Sequence, residues 1–243
     1  MEKLFLLDAY ALIYRAYYAF IRAPRINSKG QNTSAIFGFV NTLEDVLKKE
    51  QPTHIGVAFD PKGPTFRHEL YEPYKAQREE TPEDIRASVP IIKDILHAYR
   101  IPILEVPGYE ADDVIGTLAK KGVAAGYEVF MVTPDKDYGQ LVDDSCKIYK
   151  QKGDDVEIVG RAEIEQKYGF SDPVYVRDML ALWGDSSDNI PGVPGIGEKG
   201  ACKLVREWGT AEEILAAATT SKIGGKTGKN IAEWGDKLLL AKQ

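Results

Sequence analysis

Cysteine is nearly absent. Only Cys146 and Cys202 carry a thiol among 243 residues, neither belongs to a CxxC pair, and only three histidines accompany them. That excludes a disulfide framework and a thiolate zinc site, and points to a reducing compartment, the cytoplasm. Long apolar runs are missing as well: nothing approaches the roughly 20 residues of a membrane span. The start, Met1-Glu2-Lys3-Leu4, has none of the charged opening, apolar core and small-residue cleavage site of a secretory signal. What remains is a chain with 44% hydrophobic residues, enough to bury a core as one large domain or one domain and a smaller one.

Against this background the carboxylates stand out. Glu110-Ala111-Asp112-Asp113 places three of them within four residues. Pro107-Gly108 before it reads as a loop, and Val114, Ile115, Leu118 and Ala119 after it supply an apolar helical face, so the acids occupy a first helical turn. One acid there is an ordinary response to the helix dipole. Three repel one another unless a cation lies between them, and hard divalent ions prefer oxygen ligands.

Other acids follow apolar strands. Leu4-Phe5-Leu6-Leu7 ends at Asp8, Ile55-Gly56-Val57-Ala58-Phe59 ends at Asp60, and Val129-Phe130-Met131-Val132-Thr133 leads through Pro134 to Asp135 and Asp137. Such runs predict strands buried on both faces. Helical patterns over residues 9–20, 36–49 and 87–99 alternate with them, which predicts an α/β fold with a mainly parallel sheet flanked by helices and its ligand site at the carboxyl ends of the strands. A single Asp after a strand is commonly a turn residue or cap. The whole set converging on one edge predicts a metal centre. Weaker strands are expected at 103–106, 148–149 and 157–159, the last two separated by the turn Gly153-Asp154-Asp155.

Residues 61–86 differ in kind, being rich in charge and proline without a clean period. A charge run is usually a solvated loop. Here Phe66-Arg67-His68-Glu69-Leu70-Tyr71 and Tyr74-Lys75 interleave aromatics with cations, a pattern suited to phosphates and bases, so the segment is expected to form a gateway above the carboxyl edge. The tyrosines of residues 9–20 are assigned to packing. Net charge is −6, yet setting the nine acids of the predicted metal centre aside leaves +3 for the rest of the chain, compatible with a nucleic-acid partner.

From Pro173 the pattern becomes helical. A helix over 174–183 ends at Gly184, Asp185-Ser186-Ser187-Asp188-Asn189 follows, and glycines 192, 195, 197 and 200 surround the start of the next helix, with Lys199 in its first turn. Glycine amides at a helix N-terminus make an anion site, suited to a DNA phosphate held without reading sequence. A tight turn is the plain alternative. Lys222, Lys226 and Lys229 lie among glycines in the tail, and a further helix is expected over 234–241.

The motifs Gly108-Tyr109-Glu110-Ala111-Asp112-Asp113, Thr133-Pro134-Asp135-Lys136-Asp137, Tyr74-Lys75-Ala76-Gln77-Arg78 and Gly184-Asp185-Ser186-Ser187-Asp188-Asn189-Ile190-Pro191-Gly192-Val193-Pro194-Gly195-Ile196-Gly197 together resemble those of the structure-specific 5′ nucleases, in particular the N-terminal 5′ nuclease domain of bacterial DNA polymerase I. The resemblance covers nearly the whole chain. It implies a PIN-like α/β domain over residues 1–170, with 61–86 as gateway, and a helix-hairpin-helix region over 171–243. It also implies metal-dependent hydrolysis of DNA at 5′ ends, nicks and flaps, with RNA primers as a further substrate.

Carried over by position, the metal ligands would be Asp8, Asp60, Glu110, Asp112, Asp113, Asp135, Asp137, Asp185 and Asp188. Two Mg²⁺ ions, replaceable by Mn²⁺, would be divided between Asp60, Glu110 and Asp112 on one side and Asp135, Asp137 and Asp185 on the other. Asp8, Asp113 and Asp188 would act largely through water. One ion would activate the attacking water and the other stabilise the leaving 3′ oxygen. Lys75 and Arg78 would be the catalytic cations facing the phosphate. Tyr74, Gly192, Gly195, Gly197 and Lys199 would bind DNA, with K⁺ at the hairpin. The expected protein is a monomer, joined to a polymerase domain or standing alone, since the family domain runs on beyond Gln243.

Three rival readings lack part of this pattern. A phosphatase or nucleotide-binding α/β protein has no use for the glycine hairpin and basic gateway. A non-catalytic duplex-binding module has no use for nine acids. An RNA-cutting PIN-domain nuclease is smaller and lacks the hairpin.

Overall fold

The computed structural model describes residues 2–153 and 155–243. They form two compact units, one comprising Met1–Phe66, Glu79–Tyr138 and Asp144–Val159, the other Arg67–Arg78, Gly139–Asp143 and Gly160–Gln243.

In the first unit, strands β1 (Lys3–Asp8), β2 (His54–Ala58), β3 (Ile103–Leu104), β4 (Glu128–Val132), β5 (Cys146–Lys152) and β6 (Asp155–Val159) form one sheet in the order β3-β2-β1-β4-β5-β6. The first five run parallel and β6 closes one edge antiparallel to β5. In register, Leu7 pairs with Val57 on one side and Val132 on the other, so Asp8, Asp60 and Asp135 all follow the same end of the sheet. The apolar runs are buried as their composition demands: Phe5, Leu7, Val57 and Val129 are fully enclosed, and Phe5 stacks on Phe130 at 4.7 Å. Helices α1 (Ala9–Ala19) and α2 (Ser34–Asp45) contribute Ile13, Phe39 and Leu43 to this core.

Several boundaries differ from expectation. Helix α2 continues as a π-helical turn, Val46–Glu50. The short helix α3 (Phe66–Leu70) interrupts the gateway, and α4 (Glu83–Ala98) begins four residues before the expected start. Pro82 precedes α4, and Glu83 and Asp84 place acids in its first turn, where the helix dipole favours them. Residues 83–86 are therefore helix and not gateway. Helix α5 (Ala111–Ala124) follows β3, with Glu110 as its N-cap. Of the expected turn Gly153-Asp154-Asp155, Asp154 lies outside the described residues and Asp155 already belongs to β6.

The second unit is helical, with α6 (Arg161–Tyr168), α7 (Tyr175–Trp183), α8 (Glu198–Trp208), α9 (Ala211–Thr219), α10 (Gly225–Glu233) and α11 (Gly235–Lys242). Of these, α6, α9 and α10 have no counterpart in the sequence reading. Between α7 and α8 the chain forms a two-stranded ladder, β7 (Gly184–Asp185) with β8 (Ile190–Pro191). Asp178, 1% exposed, accepts hydrogen bonds from the Ala211 amide and Lys242 Nζ, both at 2.8 Å, joining α7, α9 and α11. Packing breaks at Val159, and residues 67–78 belong with the helical unit because their hydrogen bonds go to the 186–189 loop.

Candidate active site

The acids of the first unit gather at the carboxyl edge of the sheet. Asp8 is buried and caps α1, accepting the Ala11 amide at 3.2 Å, and its other oxygen accepts the Thr133 and Tyr138 hydroxyls, each at 3.2 Å. Burial pushes the Asp8 carboxyl up to about 6, and the charge of Asp60 adds to the effect. Asp60 accepts the Ala111 amide at 2.7 Å, which ties the end of β2 to the start of α5. There Glu110, 5% exposed, and Asp113 form a reciprocal cap in which the Glu110 amide donates to Asp113 Oδ2 at 3.0 Å. Asp112 and Asp135 belong to the same field. Burial first, and then the charges of Asp8, Asp112 and Asp135, push the pKa of the Tyr138 hydroxyl well above its ordinary value. Asp135 Oδ1 accepts the Asp137 amide at 2.9 Å, and Asp137 is paired with Lys136 at 3.1 Å.

In the second unit, Asp185 accepts the Ser187 amide at 2.8 Å and the Ser187 hydroxyl at 2.5 Å. Asp188 meets the predicted cations, with Arg78 Nη2 2.6 Å from one oxygen and Lys75 Nζ 3.9 Å from the other. Tyr74 is buried, 4% exposed, and donates its hydroxyl to Asp188 at 2.8 Å. Its ring lies 4.8 Å from the Lys75 ammonium, so Tyr74 packs beneath that cation and is not an exposed aromatic face.

The hairpin is pinned by its apolar residues. Val193 and Ile196 are buried, and the Val193 amide donates to the Leu182 carbonyl at 2.9 Å, leaving Gly195 and Gly197 on the surface. Gly195 sits at φ +81°, in the left-handed region that favours glycine. A Cβ on Gly197 would meet nothing within 4 Å, so the amide end of α8 is open to approach, with Lys199 exposed beside it. Gly192 has a different reason to be glycine, because a Cβ there would fall 2.0 Å from the Trp183 carbonyl oxygen. Its identity is set by chain packing. Asn230 of α10 donates to the Pro194 carbonyl at 2.7 Å and braces the turn.

Residues 3–169 match the family described as 5′-3′ exonuclease, N-terminal resolvase-like domain, and residues 171–243 match 5′-3′ exonuclease, C-terminal SAM fold. The chain belongs to the 5′-3′ exonuclease family. It is 40% identical to the 5′-3′ exonuclease of Aquifex aeolicus over 88% of this chain and 73% of that protein. It is 41% identical to DNA polymerase I of Bacillus caldotenax over all of this chain and 27% of that one, so it spans about a quarter of the length of this polymerase relative. Its fold is like that of the bacteriophage T5 flap endonuclease in a pseudo-enzyme-product complex with DNA and metal ions, with a TM-score of 0.76 at 22% identity over 99% of this chain and 88% of that one.

For a member of this exonuclease family, the donor chemistry of the acidic edge is that of a hard divalent ion, all oxygen. The hydrogen-bond partners of Asp8 are an amide and two hydroxyls, so its ionised form has no bonded cation and would be favoured by one. Among the described residues, no group of three or more His, Cys, Asp or Glu side chains is arranged so as to hold a metal ion. The sequence reading missed Thr133 and Tyr138 as supports of Asp8. Their signal was position alone, Thr133 at the end of a buried strand and Tyr138 next to Asp137. No described helix is long and apolar enough to cross a membrane.

Proposed function

We propose that this chain hydrolyses DNA phosphodiesters at 5′ ends, nicks and flaps, acting as a 5′-3′ exonuclease and flap endonuclease in primer removal and repair. The observation that carries the reading is the convergence of Asp8, Asp60, Asp112 and Asp135 at one sheet edge, with the Asp8 carboxyl pushed up to about 6 by its burial. A protein has little folding reason to accumulate carboxylates that oppose one another's ionisation.

Two Mg²⁺ ions, or Mn²⁺ in their place, would be held by these acids with Glu110, and the family resemblance adds Asp113, Asp137 and Asp185, with Asp188 acting largely through water. Bound divalent ions supply charge neutralisation and a lowered pKa for attacking water. The chain's own residues prepare for this. Thr133 and Tyr138 fix the orientation of Asp8, and the Ala111 amide fixes Asp60. Lys75 and Arg78 carry the positive charge suited to a phosphate whose negative charge grows during reaction. The exposed amides of Gly195 and Gly197, with Lys199, suit a duplex phosphate, and carbonyls of the same turn suit a K⁺ ion. The protein acts as a monomer in the cytoplasm, joined to a polymerase domain as in its polymerase relatives or separate from one. RNA primers are a further substrate of the same chemistry.

Cleavage of a 5′-labelled flap with and without Mg²⁺ tests the reading. Release of the labelled flap only with the ion is expected, and no cleavage of flap, nick or 5′ end under any divalent ion would overturn it.

A further inference from the structure

Asp188 holds a segment in place. Besides Arg78 and Lys75, its carboxylate takes the Tyr74 hydroxyl, and its carbonyl accepts the Lys75 amide at 3.0 Å. Its neighbours grip the same segment. Gln77 Nε2 donates to the Ser186 and Ser187 carbonyls at 2.8 and 3.1 Å, Arg78 Nε donates to the Ser187 carbonyl at 3.1 Å, and Asn189 Nδ2 donates to the Pro73 carbonyl at 2.7 Å. Lys75 and Asn189 are both held at left-handed φ, +56° and +59°. Non-glycine residues stay in that region only where surrounding contacts fix them.

The charges give the arrangement a use. One carboxylate faces two cations and draws the Lys75 and Arg78 side chains to one place. The Lys75 ammonium lies 4.8 Å over the Tyr74 ring and 3.9 Å from Asp188, while the Arg78 side chain is half exposed. We infer that Asp188 is the positioning residue for Lys75 and Arg78, acting on the phosphate through these two cations and not principally as a metal ligand. The inference rests on the proposed phosphate-facing role of Lys75 and Arg78.

The test combines Asp188→Asn, Arg78→Ala and the double variant in the full chain. Asp188→Asn should lower the single-turnover rate on a 5′-flap by roughly tenfold to a hundredfold, the scale of a misplaced group. The double variant should lose less rate than the product of the two single losses, because only the Lys75 part of the Asp188 role is left to lose. Mn²⁺ affinity by calorimetry should stay within about twofold of wild type, below the roughly tenfold or more that losing even an outer-shell metal partner costs. Rate losses that multiply in the double variant, or a tenfold loss of Mn²⁺ affinity in Asp188→Asn, would overturn the inference. Should Asp188→Asn fail to fold, Tyr74→Phe, which removes one hydroxyl, must still slow cleavage at unchanged Mn²⁺ affinity. Thermal unfolding of the same cycle without metal or DNA separates this from the proposed activity. Non-additive destabilisation there supports the Asp188–Arg78 link even if flaps prove not to be the substrate, and strict additivity defeats it even if flaps are cut.

Discussion

Asp60 accepts the Ala111 amide at 2.7 Å, so the acid that follows β2 is fastened to the start of the helix that carries Asp112 and Asp113. Two acidic stretches distant in sequence thereby become one field, and a change in charge at either should be felt by chemistry at both. Asp112→Asn removes one charge while leaving this link intact. It should cut the cleavage rate by roughly 10²–10³-fold or more, the scale of losing a preorganised electrostatic group. Duplex affinity should hardly move, since the proposed duplex contacts are the hairpin amides and Lys199. Quench-flow cleavage and fluorescence anisotropy read the two quantities, and a wild-type rate would show that the site lies elsewhere.

Asp8→Asn should trade activity for stability. Folded Asp8 titrates near 6, above its usual 3.8, because burial disfavours the charge. A raised folded value means that the native state loses stability as pH rises through this window and bears the full cost above 6. Removing the charge should stabilise the protein by on the order of 1–3 kcal/mol at pH 8 in chelator. The gain should shrink as pH falls below 6 and vanish under 4. Urea unfolding at pH 4.5 and 8 compares them, and an Asn variant less stable than wild type at pH 8 would contradict the account.

The hairpin glycines separate strain from recognition. Gly195→Val forces a branched residue to φ +81°, so any lost binding is mixed with lost stability. Gly197 has an ordinary φ of −99° and open space where a Cβ would stand. Gly197→Ala should therefore unfold within about 0.5 kcal/mol of wild type yet bind duplex DNA more weakly by roughly 1–3 kcal/mol. Measured in K⁺ and in Na⁺ at matched ionic strength, wild type should favour K⁺ and the variant less so. Undiminished affinity would remove this turn from the DNA surface.

Tyr149 gives a pH dependence far from the acids. It is buried, 3.4 Å from Glu50, and burial with that carboxylate pushes its hydroxyl up to about 12. The unfolded chain ionises near pH 10, so native stability should be full below pH 10 and fall as pH rises toward 12. Tyr149→Phe should flatten that fall. An unchanged alkaline slope in chemical unfolding would assign it to other groups.

The strand-end acids are legible in the sequence because an apolar run ending in Asp is a local pattern, and the capped start of α5 is equally local. The helices α6 and α10 are not. Arg161–Tyr168 buries only Ile164 and Tyr168, and α10 opens on glycine among lysines, so both owe their form to packing more than to propensity. Nor could the fate of Tyr74 be read from its neighbours. An aromatic among cations looks the same whether it faces solvent or, as here, donates to a carboxylate 114 residues away.

The sheet order also sets a sequence of events in synthesis. β1 lies between β2 and β4, and its Leu4 pairs with Val129, so the central strand lacks one neighbour until β4 has been made. Pairings between such distant segments form late and slowly. Asp135 thus joins the edge that carries Asp8 and Asp60 only after β4 has been synthesised, and until then the acidic edge is incomplete.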